Sequence, residues 1–260
     1  MGKEEIFSEH TIRSYIVNKD LQKIPIFFYD STDSTNTRAK LYEEKEEKCA
    51  LFVANSQNAG RGRLGRSFNS EGGVGIYMSI LKKSVTEPTD ATKTTVRAAV
   101  AVCRAIEETC GLNTKIKWVN DVVFDGRKIS GILTEGILGE SGQIERTVCG
   151  IGINVFDRVF PEDISNIATS IEKESKKRVS RSLLTAKVLE HFLSDEKWEH
   201  IIEEYRSRSA VLGKKVTVLK SSGESYSAKV LSIDDLGRLV VQTEDKNEEI
   251  LYTGEVSIRP

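Results

Sequence analysis

Two hydrophobic periods alternate along the chain, and each predicts a different kind of element. Short apolar runs closed by turn residues predict β-strands. In the first 154 residues these apolar runs lie at 24–29, 50–55, 72–81, 116–118, 122–124, 129–134 and 147–154. Apolar residues spaced by three and four predict helices at 91–110, 180–191 and 196–207. The first long helix separates two groups of strands, and this order favours an α+β fold.

Polar residues dominate the amino-terminal region apart from its first strand. The pattern predicts a short helix at 12–21 and a strongly charged helix at 38–48. Serine, threonine, aspartate and asparagine cluster at 30–37, which predicts a loop leading into the cap of the second helix. We therefore expect residues 30–37 to be non-helical.

The hydrophobic pattern changes again after about residue 210. Short strands are predicted at 216–219, 227–233, 239–243 and 249–253, separated by Ser222-Gly223, Leu236-Gly237 and Lys246-Asn247. Closely spaced strands with such turns are typical of a small barrel. We therefore predict two domains, a larger one at 1–210 and a small β-barrel at 211–260.

Composition and charge narrow the class of protein. The 260-residue chain is 38% hydrophobic and 30% charged, as globular proteins are. Its net charge of -1 gives no overall field that attracts nucleic acid. No apolar run has the ~20 residues that a membrane-spanning helix needs, and no signal peptide is visible. The four scattered cysteines predict reduced thiols in a cytoplasmic protein.

The densest chemical signal is a loop at 58–66 that mixes glycine with arginine. Its cations are Arg61, Arg63 and Arg66, and its glycines are Gly60, Gly62 and Gly65. Glycine permits close backbone approach, and arginine offers forked donors that match carboxylate and phosphate oxygens. The loop therefore favours recognition of a compact anion; the alternative is a flexible basic surface loop. Its formal G-x-G-x-x-G match does not indicate a dinucleotide fold, because a strand rather than a helix follows it.

Further polar residues interrupt or end the apolar strands. Asn120-Asp121 can bind Mg²⁺ or a ribose hydroxyl, or can form an ordinary turn. Lys128 can reach an anion or stay in solvent. The run 33–37 can line a ligand pocket or simply cap a helix. Gln57 precedes the arginine loop and Asn154 ends a strand, so each can line a pocket rim.

In this order and spacing, the motifs resemble those of the biotin–protein ligases. The segments that carry the resemblance are Asp33-Ser-Thr-Asn36, Gln57 with Gly60-Arg-Gly-Arg-x-Gly-Arg66, Lys117-Trp-x-Asn-Asp121, Arg127-Lys-x-x-Gly-Ile-Leu133 and Gly150-x-Gly-Ile-Asn154. The likeness covers residues 26–260. It departs from the family at Val119, where proline is usual, and at Phe68, where tryptophan is common. The resemblance implies a class II synthetase-like mixed sheet with flanking helices and an SH3-like C-terminal barrel.

The resemblance also implies a two-step reaction. ATP first activates biotin to biotinyl-5′-AMP, and biotin is then transferred to one lysine of a biotin carboxyl carrier protein or domain. Preorganised cations suit this chemistry because negative charge builds up on the α-phosphoryl oxygens. Mg²⁺ is expected on the phosphate oxygens. A homodimer is compatible with the family, and no nucleic-acid or membrane partner is expected.

Roles for single residues follow from the same resemblance. Biotin contacts are expected from Ser34, Thr35, Asn36, Gln57, Arg61, Gly62, Arg63 and Lys128. ATP contacts are expected from Arg61, Arg63, Arg66, Phe68, Asn120, Lys128 and Asn154. The expected catalytic residues are Arg63, Lys128 and Asp121, of which Asp121 either binds Mg²⁺ or orients the acceptor lysine. The arginine–glycine loop is expected to close over the labile adenylate.

Three other functions compete with this interpretation. A lipoate or octanoate transferase shares the fold class, but such proteins lack the arginine–glycine run, and a lipoyl chain has no ureido group. A biotin-responsive DNA-binding repressor needs a recognition helix, for which about 25 residues before the first strand leave no room. A non-catalytic adaptor acting through the C-terminal barrel would need neither the intact arginine loop nor Lys128.

Overall fold

A seven-stranded mixed sheet forms the centre of the fold. A computed structural model describes residues 6–43, 47–83, 90–140, 142–220, 223–252 and 255–257. The strands of this sheet are β1 (Ile26–Tyr29), β2 (Cys49–Ala54), β3 (Gly75–Lys83), β4 (Lys115–Lys117), β5 (Asp121–Phe124), β6 (Arg127–Leu138) and β7 (Ile144–Asn154). They lie in the order β1-β2-β3-β7-β6-β5-β4. β1 and β2 run parallel, and the other neighbouring pairs are antiparallel.

Helices cover the sheet and complete the α+β fold. They are α1 (Glu9–Tyr15), α2 (Thr35–Lys40), α3 (Asp90–Cys110), α4 (Ile171–Ser175), α5 (Arg181–Phe192) and α6 (Trp198–Ser207). The long helix α3 packs against β6 and β7 with a buried face of alanine, valine and isoleucine, and it also contacts α5 and α6. The predicted α+β class is therefore confirmed. Within the described residues, no helix combines the length and apolarity needed to cross a membrane.

The C-terminal strands form a second, antiparallel sheet. They are β8 (Lys215–Leu219), β9 (Ser225–Ile233), β10 (Leu239–Thr243), β11 (Glu248–Leu251) and β12 (Glu255–Ser257), in the order β11-β10-β9-β8-β12. Among the described residues no pairing joins β11 to β12, so the closed barrel stays a prediction. Ser222 and Thr253, named in the predicted turns and strands, lie outside the described residues.

The turn between β9 and β10 docks this second sheet onto the helices of the first. Trp198 donates its indole N–H to Asp235 O at 2.8 Å, and Arg206 Nε donates to Ile233 O at 2.7 Å. Trp118, the residue after β4, donates its indole N–H to Gly237 O at 2.9 Å. Buried side chains of both sheets belong to one continuous hydrophobic core.

The prediction of a helix at 12–21 is wrong in its limits. The helix is α1 at Glu9–Tyr15, because Ser8 is the N-cap and its hydroxyl accepts a hydrogen bond from Thr11 N at 3.2 Å. A separate 3-10 turn follows at Leu21–Lys23. The apolar positions of the segment fit the spacing of one helix, but the chain breaks between these two elements.

The prediction of a charged helix at 38–48 is also wrong. The helix is α2 at Thr35–Lys40, and it begins inside the segment 30–37 that was expected to be a loop. Residues 44–46 of that prediction lie outside the described residues. Helix propensity favours the charged stretch, but the first two residues of α2 are buried against the sheet, and tertiary contacts override propensity.

The four cysteines carry free thiols, as predicted. Burial raises the pKa of the Cys49, Cys103 and Cys149 thiols to about 12. A thiol with so high a pKa stays protonated at neutral pH and is a poor nucleophile. These three residues therefore serve packing rather than chemistry.

Candidate active site

Two adjoining clefts open above strands β3, β6 and β7. The first has a volume of about 470 Å³ and the second about 1080 Å³, counting the solvent-filled space at their mouths. Both are lined by Gly62, Arg63, Phe68, Asn120 and Lys128, so these residues mark the junction between the clefts. A ligand that spans the junction would contact both.

The structure brings the residues predicted from sequence together at these clefts. The first cleft is lined by Ser34, Thr35, Asn36, Gln57, Arg61, Gly62, Arg63, Phe68, Asn120 and Lys128. The second is lined by Gly62, Arg63, Arg66, Phe68, Asn120, Asp121, Lys128 and Asn154. Arg61, which was expected at both substrates, lies in the lining of the first cleft. Segments far apart in the chain therefore meet in one place.

The start of α2 forms one wall of the first cleft. Ser34 is the N-cap residue, but its side chain makes no hydrogen bond to the helix. Gln57, which lies outside the helix, caps it instead. Its Oε1 accepts a hydrogen bond from Thr35 N at 2.8 Å and lies 3.1 Å from Thr35 Oγ1. Gln57 Nε2 donates to Ser70 Oγ at 2.8 Å, which fixes the direction of the amide. The Ser34 hydroxyl is thus not committed to capping, contrary to the simpler interpretation of this segment.

Asn36 is held behind this wall by the sheet. Its Nδ2 donates to Leu133 O at 3.3 Å and to Glu135 Oε2 at 2.8 Å. Its Oδ1 accepts from Ser79 Oγ at 2.6 Å. Opposite it, Gly150 has no side chain, and a Cβ there would lie 2.2 Å from Asn36 Oδ1. The carboxamide is therefore fixed in both position and direction.

Glu135 carries a negative charge at the back of the first cleft. Burial raises the pKa of its carboxyl group, but hydrogen bonds from Lys40 and Asn36 and the charge of Arg61 outweigh burial and lower the pKa overall. Lys40 also forms an ion pair with it. The group is consequently a carboxylate, and only a hydrogen-bond acceptor, at neutral pH.

A tight hairpin places a lysine against a carboxylate at the junction. Asp125 and Gly126 both have positive φ, 48° and 74°, as a type I′ turn requires. This turn joins β5 to β6 and sets Lys128 Nζ 2.5 Å from Asp121 Oδ1, in an ion pair that lacks the alignment of a hydrogen bond. Gly131 leaves room for the lysine, since a Cβ there would lie 2.9 Å from its Cε and Nζ.

The arginine–glycine loop folds back on itself as a narrow hairpin. Gly62 N donates to Arg66 O at 2.7 Å, and Phe68 N donates to Gly60 O at 3.0 Å. A Cβ on Gly60 would lie 2.5 Å from Phe68 O, so this close approach requires glycine. The hairpin directs Arg63 towards the junction of the clefts.

The turn between β4 and β5 receives that arginine. Arg63 Nη1 donates to Asn120 Oδ1 at 3.0 Å. Asn120 is itself fixed, because its Nδ2 donates to Ile132 O at 2.9 Å and its backbone oxygen accepts from Ile132 N at 3.0 Å. Val119, where the resemblance leads one to expect proline, is held by Tyr205, whose hydroxyl donates to Val119 O at 2.9 Å. Tertiary contacts therefore define this turn.

The ring of Phe68 packs on the backbone of two glycines, Gly131 and Gly152. Gly131 and Gly152 are paired across β6 and β7. A Cβ on Gly152 would lie 2.4 Å from Phe68 Cε1, and one on Gly131 would lie 3.4 Å from Cε2. Two facing glycines thus create the flat surface on which the ring lies at the junction.

One charged residue of the second cleft, Arg158, is not among the site residues predicted from the sequence. Arg158 is buried, with 7% of its side chain exposed. It donates to Asn154 Oδ1 at 3.1 Å and to Asn69 Oδ1 at 3.3 Å, and its guanidinium lies 4.7 Å from the centre of the Phe160 ring. Arg158 uses one lone pair of Asn154 Oδ1, so the second lone pair and the amide nitrogen of Asn154 are left for a ligand. No periodic pattern marks this segment, so the only signal was a lone arginine shortly after a strand.

The side-chain oxygen atoms at the junction of the clefts do not form a site for a resident metal ion. In the described part of the chain, no three histidine, cysteine, aspartate or glutamate residues gather into a metal-binding group. Asp121 Oδ1 faces the ammonium of Lys128, and Asn120 Oδ1 accepts from Arg63. The two oxygens expected near Mg²⁺ are therefore already opposed by cations.

Comparisons with known proteins agree with this geometry. Residues 28–154 match the model of the biotin/lipoate A/B protein ligase family, and residues 211–259 match that of the biotin protein ligase C-terminal domain. The bifunctional ligase/repressor BirA of Bacillus subtilis is 30% identical over 246 residues, which cover 90% of this chain and 74% of that protein. The biotin–[acetyl-CoA-carboxylase] ligase of Mycobacterium tuberculosis is 28% identical over 198 residues, covering 73% of this chain and 71% of that protein.

A solved structure has the same fold over nearly its whole length. The biotin protein ligase of Aquifex aeolicus, solved in complex with biotin and ATP, has a TM-score of 0.75 at 28% identity, covering 90% of this chain and 98% of that one. The two matched models and the 30%-identical relative span both sheets. On these grounds, and with the paired clefts in view, the chain belongs to the biotin protein ligase family.

Proposed function

We propose that this protein forms biotinyl-5′-AMP from biotin and ATP and then transfers biotin to a lysine of a biotin carboxyl carrier protein. The observation that carries the proposal is the junction of two clefts at Arg63, Asn120 and Lys128. Two substrates held in adjoining clefts meet in a fixed orientation, which removes much of the entropic barrier. Cations at the junction face the point where negative charge develops.

The first step joins the contents of the two clefts. A carboxylate oxygen of biotin attacks the α-phosphorus of ATP, and the bond to the β-phosphate breaks to release pyrophosphate. Arg63 and Lys128 contact the α-phosphoryl oxygens, and Arg66 contacts the departing pyrophosphate. Mg²⁺ enters with the triphosphate as part of the substrate, because the oxygens of Asn120 and Asp121 already face cations.

The first cleft favours biotin over lipoate, the other substrate in the name of the matched family. Ser34, Thr35, Asn36 and Gln57 line one wall of it. Thr35, Asn36 and Gln57 already have partners within the protein, but the Ser34 hydroxyl is not used for capping and Thr35 Oγ1 keeps a lone pair, so these two groups can bond a polar ligand. The ureido ring of biotin supplies two N–H groups and one C=O, whereas the dithiolane ring of lipoate supplies none.

The decisive experiment is biotin-dependent exchange of labelled pyrophosphate into ATP, followed by mass spectrometry of an added carrier domain. We expect exchange with biotin, none with lipoate, and a mass gain of one biotinyl group on the carrier lysine. Exchange supported by lipoate alone, or a complete absence of exchange with biotin, overturns the proposal.

Asp121 has a separate role in the second step. When Lys128 turns to the phosphate, Asp121 can accept a hydrogen bond from the incoming amine, which attacks the acyl carbon and releases AMP. We expect Asp121→Asn to slow transfer from preformed biotinyl-AMP about 10-fold, the size of one charge-assisted hydrogen bond, and to change pyrophosphate exchange much less. Single-turnover transfer assays measure the difference.

Asp125→Asn on the same hairpin is the matched control and should keep the rates of both steps. An equal loss of rate in both steps for Asp121→Asn would refute the assignment.

Phe68 serves the second cleft by stacking on adenine. Gly152→Ala would push the ring away, since the new Cβ would lie 2.4 Å from Phe68 Cε1. We expect the KM for ATP to rise about 10-fold, as for loss of one aromatic stacking contact. The KM for biotin should rise as well, because Gly152 lines the first cleft. Steady-state exchange kinetics provide the measurement. Gly72→Ala is the control, because a Cβ there would make an ordinary contact at 3.5 Å; an unchanged KM for ATP in Gly152→Ala would exclude this role.

The C-terminal domain, which we place at 211–260 after a catalytic domain at 1–210, helps to admit the carrier. The second cleft continues into a groove of about 2230 Å³ between β4, β5 and the C-terminal strands. Lys115, Lys117 and Lys214 line this groove, which leads to Asp121. A carrier surface with acidic groups beside its lysine would fit it. Self-association and a cytoplasmic location stay predictions.

A further inference from the structure

The hydrogen bonds behind the first cleft form a chain in which each donor fixes the direction of the next bond. The chain begins at Asn36. Its Nδ2 lies 3.3 Å from Leu133 O and 2.8 Å from Glu135 Oε2, and both of those oxygens can only accept. The carboxamide must therefore turn its nitrogen towards them and its Oδ1 towards Ser79.

Ser79 must consequently donate to Asn36. Its fully buried hydroxyl lies 2.6 Å from Asn36 Oδ1 and carries a single proton. The same oxygen lies 2.7 Å from Thr35 Oγ1. With its proton committed to Asn36, Ser79 can only accept from Thr35.

The proton of Thr35 is likewise committed to the protein. Two acceptors lie within reach of it, Ser79 Oγ at 2.7 Å and Gln57 Oε1 at 3.1 Å. Gln57 Oε1 is fixed as an acceptor, because Thr35 N donates to it at 2.8 Å. Whichever oxygen takes the proton, Thr35 can present only a lone pair to the first cleft that it lines.

We propose that Ser79 and Glu135 are positioning residues that lock Thr35 as a hydrogen-bond acceptor and so select a ligand with an N–H group at that point. The inference rests on the proposed function, in which that group is a ureido N–H of biotin. Ser79 and Glu135 act through Asn36 and Thr35, without touching the ligand. Lys40 balances the charge of Glu135 and leaves its second oxygen to Asn36.

The two residues can be altered without large changes of shape. Ser79→Ala removes the donor that faces Asn36 Oδ1 and the nearer acceptor for the Thr35 proton, at 2.7 Å. Gln57 Oε1, at 3.1 Å and already accepting from Thr35 N, is then the acceptor that remains, so the Thr35 hydroxyl is freer to turn its proton towards a ligand. Glu135→Gln keeps the size of the side chain but replaces the shorter, charged acceptor of Asn36 Nδ2, at 2.8 Å, by a group that can also offer an N–H. The direction of the Asn36 carboxamide then depends on Leu133 O alone, at 3.3 Å, and is held less firmly. Glu145→Gln on the neighbouring strand β7 is the matched control, because that carboxylate is exposed.

The experiment measures pyrophosphate exchange with biotin and with its two mono-N-methyl isomers, in which one ureido N–H is replaced. We expect the wild-type protein to prefer biotin to one isomer by more than about 10-fold, the effect of leaving one buried acceptor unpaired. Ser79→Ala and Glu135→Gln should raise the KM for biotin about 10-fold and reduce that preference by a similar factor. The KM for ATP and the kcat should stay near the wild-type values, and Glu145→Gln should change nothing.

If Ser79 and Glu135 only maintained the shape of the cleft, the result would differ. Their variants would raise the KM for biotin and for the methylated isomers equally. An unchanged preference for biotin over the isomer would therefore overturn the proposal. Equal use of all three ligands by the wild-type protein, or a wild-type KM in both variants, overturns it as well. If Ser79→Ala does not fold, Glu135→Gln alone decides the outcome. If the wild-type protein shows no exchange, the proposed function fails, and calorimetric dissociation constants for the three ligands then test the Thr35 assignment separately.

Discussion

Lys128→Met is expected to lower the kcat/KM of biotin-dependent pyrophosphate exchange about 1000-fold, the upper range for removing one preorganised group that stabilises transition-state charge. The ammonium lies at the junction of the clefts, 2.5 Å from Asp121 Oδ1. Methionine keeps the apolar chain across Gly131 and removes only the charge. The backbone should not move, because Lys128 N donates to Ile167 O at 2.7 Å and Lys128 O accepts from Thr169 N at 2.9 Å.

Two controls separate loss of the catalytic charge from loss of stability. Lys229→Met alters an exposed lysine of β9 and should leave exchange unchanged. Lys128→Met also leaves the buried Asp121 Oδ1 without its cation, which destabilises the fold. The double variant Asp121→Asn/Lys128→Met should recover the melting temperature but not the exchange rate. Exchange by Lys128→Met within about 10-fold of wild type, far from the loss expected of an electrostatic group, would exclude Lys128 from the first step.

Elements defined by local pattern could be predicted from the sequence. α3 shows an uninterrupted helical spacing of apolar residues, and β3 and β7 are apolar runs bounded by turn residues. The limits of α2 could not be predicted in this way. Its cap is supplied by Gln57, which accepts from Thr35 N across 22 positions of sequence. Local propensity carries no information about such a partner.

The same distinction applies to the candidate site. The arginine–glycine loop could be identified because its chemistry lies within one short segment. Ser79 and Glu135 could not, since each acts through Asn36 in another segment; Ser79 and Asn36 are 43 positions apart. Arg158 could not either, because no periodic pattern marks its segment. For Ser79, the available signal was a serine inside an otherwise apolar strand, which predicts a buried hydroxyl with a partner but does not say which partner.

Arg63→Gly is expected to speed the release of biotinyl-AMP about 100-fold, as for loss of a strong charge-assisted contact, while the Kd for biotin changes by a much smaller factor. Arg63 lines both clefts. In the proposed function the adenylate fills both clefts, whereas biotin alone occupies the first, where Ser34, Thr35 and Gln57 are untouched by the substitution. Release is measured by chasing preformed labelled adenylate with unlabelled biotin and ATP, and binding by equilibrium dialysis.

Glycine at position 63 also loosens the loop, so a second substitution must separate charge from flexibility. Arg63→Ala removes the same guanidinium, and with it the contact to Asn120 Oδ1, without adding backbone freedom. If both variants release the adenylate equally fast, the lost charge is the cause; faster release from Arg63→Gly alone assigns the effect to loop closure. Slow, wild-type release from both would mean that the adenylate is retained by the walls of the clefts, and that the loop does not close over it.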